Sequence, residues 1–140
     1  MSSIGFSWGY WALIISMLAG CGVNQSADDG MWPILSESER GHFRLTVQPR
    51  HDGTSVGLNR YRLAVFDAAE MSVEDAKIRL ELWMPDHGHG SDRDPTIDWR
   101  DGSNYSVDNV VYTMPGLWTW TLVIETDQYT DSINWAVDVR

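Results

Sequence analysis

The sequence predicts an all-β domain, an antiparallel β-sandwich of about six or seven short strands. Three observations carry this. From His42 to the C-terminus, apolar residues recur at every second position, the period at which strand side chains share a face. The runs are rich in β-branched and aromatic residues, and clusters of Gly, Pro, Asp and Asn separate them. No segment between them has the length and spacing of the helical crossovers that parallel strands require. The length of 140 residues accommodates one such domain and not two.

The elements follow in order. Phe43, Leu45 and Val47 alternate with Arg44, Thr46 and Gln48, and turn signals run from Pro49 to Gly57. Tyr61, Leu63 and Val65 alternate with Arg62, Ala64 and Phe66. Ala68–Ala76 is read as a connection holding at most one short helical turn. Ile78, Leu80 and Leu82 alternate with Arg79, Glu81 and Trp83, and a long turn region spans Pro85 to Gly102. Tyr105, Val107 and Asn109 lead into Val110-Val111-Tyr112, and Met114-Pro115-Gly116 forms the next turn. Trp118, Trp120, Leu122 and Ile124 alternate with Thr119, Thr121 and Val123, which puts both tryptophans on one inward face. Asp127 to Asp131 turns the chain, and Ile133, Trp135, Val137 and Val139 close it. The aromatics give a core bulky enough to stand without disulfides.

The N-terminal part reads differently. Residues 1–20 carry no charged side chain, and Trp11 to Ala19 is an apolar run ending in Leu18-Ala19-Gly20-Cys21. The run is shorter than the roughly 20 residues of a spanning helix, which counts against an uncleaved anchor. Its end resembles the lipobox of bacterial lipoprotein signal peptides. The resemblance implies cleavage before Cys21 and a lipid on its thiol. Residues 1–20 are then a signal peptide, 21–41 a lipidated N-terminus and flexible tether, and 42–140 the folded domain. Gly22, rather than Asp, after the cysteine implies the outer membrane, with the domain facing the periplasm. Within the tether, Met31-Trp32-Pro33-Ile34-Leu35 is an apolar patch expected to pack on the edge of the domain.

Charge excludes several functions. Twenty acidic residues against ten basic ones give a net charge of -10. That balance argues against a nucleic-acid partner and against electrostatic docking on anionic lipid. A single cysteine excludes an internal disulfide and every cysteine-only zinc site. No Gly-x-Ser-x-Gly elbow, phosphate-cradling glycine loop or His-Glu-x-x-His occurs, so no enzyme is indicated.

The densest chemical feature is Leu82-Trp83-Met84-Pro85-Asp86-His87-Gly88-His89-Gly90. His87 and His89 stand two apart at a strand end, where i and i+2 side chains share a face and two imidazoles reach one ion. Imidazole suits copper, zinc or nickel; Met84 and Met114 add candidate thioether donors, which favours copper. The bland alternative is a turn whose imidazoles cap backbone groups, with both methionines simply packed. A second cluster, Asp86, Asp92, Asp94, Asp98 and Asp101, lacks the glycine and further ligand of a calcium loop. It reads as a solvated loop with Arg93 and Arg100 as partners.

Met84-Pro85-x-His87-Gly88-His89-Gly90, then Gly102-x-x-Tyr105, then Val110-x-Tyr112-x-Met114-x-Gly116-x-Trp118, resembles the YtkA-like/FixH-like domain. The resemblance runs from about Phe43 to the C-terminus. It implies an immunoglobulin-like sandwich, exported or membrane-anchored, in a family linked to copper handling and oxidase maturation. Asp86 stands where such domains often carry an apolar residue or Met. Together these readings give a non-enzymatic, envelope-anchored module that binds a copper ion through His87 and His89, with Met84 and Met114 as further donors. The alternative is a structural or protein-interaction lipoprotein, without metal, whose turn and exposed aromatics contact an envelope protein.

Overall fold

The computed structural model describes residues 26–27, 32–51 and 54–140. The expected leader, Cys21 and residues 22–25 and 28–31 of the tether lie outside the described residues. The rest is all β, as the period-two pattern required. Ten strand segments run in chain order: β1 (Ser26–Ala27), β2 (Ile34–Glu37), β3 (Phe43–Pro49), β4 (Gly57–Asp67), β5 (Lys77–Met84), β6 (His89–Gly90), β7 (Thr96–Asp101), β8 (Asn104–Tyr112), β9 (Gly116–Glu125) and β10 (Thr130–Val139). They form two five-stranded sheets with orders β1-β10-β9-β5-β6 and β2-β3-β4-β8-β7. Every pairing is antiparallel except that of the two-residue β1 with β10.

The inner faces of the two sheets supply the core. Phe43, Leu45 and Val47 are buried from β3, and Tyr61, Leu63 and Val65 from β4. Trp118, Trp120, Leu122 and Ile124 are buried from β9, opposite Leu80 and Leu82 of β5 and Ile133, Trp135 and Val137 of β10. On β8 the inward set changes parity, from Tyr105 and Val107 to Val110 and Tyr112. A break in the β4–β8 register and a left-handed Asn109, at φ 59°, absorb the change. Without that bulge, one half of β8 would turn its apolar set to solvent.

Three features add detail to the sequence expectation. Ala68–Ala76 holds no helical turn. The Asp67 carboxylate accepts from Ala69 N and Met71 N, both at 2.9 Å, and Glu70 is left-handed at φ 64°. That local bonding replaces the helical pattern. Tyr105 Oη then clamps the connection, donating to Val73 O at 2.7 Å and accepting from Ala76 N at 3.0 Å. Part of the long acidic loop is strand β7, both of whose faces are largely exposed. Finally, Ile34 is buried in the short β2, and Trp32 packs against the core with its ring 5.5 Å from Tyr61. The apolar patch therefore packs where expected, while Leu35 remains 68% exposed.

Candidate metal centre

Strand β5 ends at Met84, and the chain reverses through Pro85–Gly88 into β6. His87 N and Gly88 N both donate to Met84 O, at 3.2 and 2.9 Å. Gly88 takes φ 66°, where a Cβ would be strained. His89 then lies directly across the strand pair from Met84, and Gly90 across from Trp83. Opposed residues share a face, so His89 follows the buried Met84 towards the end of the core rather than out over the sheet. His87, in the turn itself, is exposed, and His89 is half-buried.

This brings the two imidazoles together, with ring centroids 6.0 Å apart and planes at 54°. An ion about 2.0 Å from a ring nitrogen stands roughly 3.2 Å from that ring's centroid, so two rings share one ion only within about 6.4 Å. The observed pair meets that limit. His89 Nδ1 lies 3.0 Å from Gly90 O. A carbonyl only accepts, so Nδ1 carries the proton, and the neutral ring keeps its lone pair on Nε2. An imidazole oriented in this way by a carbonyl is a common feature of metal ligands.

Beneath the pair is an aromatic floor. The His89 ring meets Trp118 edge-on at 5.8 Å, and Trp118 packs against Tyr112 at 5.5 Å. The Trp118 indole donates to Met114 O at 3.1 Å, which ties the Met114-Pro115-Gly116 turn to the same end of the sandwich. Deeper in, Trp120 Nε1 donates to Tyr112 Oη at 2.8 Å, and Tyr61 Oη is 3.2 Å from Tyr112 Oη. Burial pushes the Tyr61 phenol up to about 12 and raises that of Tyr112 well above its ordinary value. These hydroxyls are structural at neutral pH.

The four candidate ligands thus converge on one end of the sandwich but differ in availability. Met84 is 2% exposed and packed into the core, its methyl end over Gly116. Met114 is partly buried against the same core. Among the described residues, no three His, Cys, Asp or Glu side chains converge. Asp86 is exposed, and so are Asp92, Asp94, Asp98 and Asp101. Of their expected partners, Arg100 reaches Asp98 at 3.8 Å. His42 stacks on Tyr129 at 4.1 Å, away from the pair. Trp118 was legible in the sequence as a core residue. Its place beneath His89 was not, because that depends on the pairing of β5 with both β6 and β9.

The profile of the YtkA-like family matches residues 35–123, well over half of the chain. The chain belongs to the YtkA-like family. The match covers the His-Gly-His turn, the β8 bulge and the Met114–Trp118 turn together. No curated protein and no solved structure matches the chain.

Proposed function

We propose that this YtkA-like protein is a cell-envelope lipoprotein, anchored through Cys21 at the outer membrane, whose domain binds one copper ion at the His87–His89 turn. The observation carrying the proposal is the 6.0 Å imidazole pair, with Nδ1 of His89 already engaged by Gly90 O. Nitrogen ligands without thiolate or carboxylate partners suit copper better than structural zinc, which takes four protein ligands. When bound, copper supplies an exchangeable, redox-active cation. The residues hold it at an exposed rim, where a partner can reach it. Met114, only partly buried, is the thioether available to the softer Cu(I), whereas Met84 serves chiefly as packing.

A second reading, an interaction module without metal, draws on Trp83 and Leu117. They are 42% and 43% exposed beside the turn, on strands β5 and β9. The two readings separate in a copper titration of the full chain carrying Cys21→Ser, since a free thiol would itself take Cu(I). Under the copper reading, the His87→Ala/His89→Ala double variant loses at least about tenfold in affinity. Equal binding by both proteins leaves the interaction module.

A further inference from the structure

A different part of the molecule carries a second site. The two sheets present four edges, and three are blunted. The short β1 covers part of β10; β2 is only four residues long. On β7 the register breaks between Trp99 and Asp101, and Arg100 is already held by Asp98 and by Ser106. The fourth edge belongs to β5, whose outer side pairs with β6 only at Trp83 and Met84. From Lys77 to Leu82 that side has no strand partner among the described residues. A groove of about 490 Å³ crosses the outer face there, lined by Thr121 and Val123 of β9, Arg79 and Glu81 of β5, and Ser91 and Pro95. An open row of N–H and C=O groups is a template for a further strand.

We propose that this edge pairs with the same edge of a second copy of the chain, joining two five-stranded sheets across a two-fold axis. The register is set by the residues. A slip of one position would put apolar against polar faces. An axis through Arg79 would set two arginines face to face, and one through Glu81 two glutamates. An axis through Leu80 avoids both. It places Arg79 opposite Glu81 of the partner subunit, Glu81 opposite the partner's Arg79, and Ile78 opposite the partner's Leu82. The contact is isologous and complementary in charge and in apolarity. Arg79 and Glu81 are both exposed, and neither has an ion-pair partner among the described residues. The pairing leaves the His87–His89 turn at the far end of each β5 and does not depend on copper.

The test is sedimentation equilibrium of the full chain with Cys21→Ser, in density-matched non-ionic detergent, across a range of concentrations. Circular dichroism checks that each variant is folded. The parent is expected to dimerise. Arg79→Glu and Glu81→Arg each set like charges face to face at both symmetric contacts and raise the dimer dissociation constant at least about tenfold. The Arg79→Glu/Glu81→Arg double variant restores opposite charges in reverse order and returns to within about threefold of the parent. A parent that is monomeric throughout overturns the proposal. So does association that is equal in all four proteins, or a double variant that fails to recover.

Discussion

The methyl end of Met84 lies 2.6 Å from the point that a Cβ on Gly116 would occupy. The two residues end and begin the adjacent strands β5 and β9, and the contact locks the His-Gly-His turn to the Met114–Gly116 turn. Gly116 also has φ 129°, a conformation that L side chains rarely adopt. Gly116→Ala therefore meets both strain and a clash with a buried side chain. The expected cost is about 1–3 kcal/mol in chemical denaturation. A variant as stable as the parent would show that Met84 is free to move aside.

Trp120 binds the two sheets together, packing edge-on against Tyr61 at 4.9 Å and tilted on Trp135 at 5.0 Å. Trp120→Ala is expected to cost about 3–5 kcal/mol. Tyr112→Phe keeps the shape but leaves the Trp120 indole N–H without its acceptor, a loss of about 1–3 kcal/mol. Urea unfolding followed by tryptophan fluorescence reads both. A neutral Tyr112→Phe would mean that another acceptor replaces the phenol.

The six long alternating runs were legible because each has one face buried and one exposed, which is what a period of two records. Strand β7 was not legible: Asp98, Trp99, Arg100 and Asp101 are all exposed, so no burial contrast marks Thr96–Asp101. The switch of parity on β8 was visible only as Asn109 followed by Val110, a pattern that does not say which residue bulges. The histidine pair could be read from spacing alone. That Met84 is core and Met114 only partly buried could not, since burial at a strand end depends on how neighbouring strands dock, as Gly116 does against Met84.

Stability at high pH follows from Tyr61. Burial raises its phenol to about 12 in the folded protein, against 10.0 for an ordinary tyrosine. Between these values the unfolded chain releases a proton that the native state keeps, so stability is full below pH 10 and falls as the pH rises through about 12. Tyr61→Phe is expected to flatten that fall in denaturant titrations at pH 9, 10 and 11, values on the order of the tyrosine range. Parallel slopes for the two proteins would contradict the assignment.

At low pH the buried Asp131 takes over. Burial by itself would raise its carboxyl, but hydrogen bonds from Ser38 and from the N–H groups of Ser132, Arg40 and His42 outweigh it and hold it below 3.8. Arg40 N approaches Oδ2 at 3.0 Å, and Ser132 N approaches Oδ1 at 2.9 Å. The stabilisation is present above pH 3.8 and is lost as the pH falls through the lower folded value. Asp131→Asn is expected to be less stable than the parent at neutral pH and to lose less on acidification. Acid titration curves of equal steepness would rule this out.

The most direct measurement on the proposed copper site is X-ray absorption of the copper-loaded full chain with Cys21→Ser, under reducing and oxidising conditions. Two imidazole scatterers at about 2.0 Å are expected in both states, with a sulfur contribution in the reduced state that disappears in Met114→Leu. The His87→Ala/His89→Ala variant is expected to lose the imidazole signal. Copper that shows no imidazole scattering, or the same scattering in parent and double variant, would contradict binding at the His87–His89 turn.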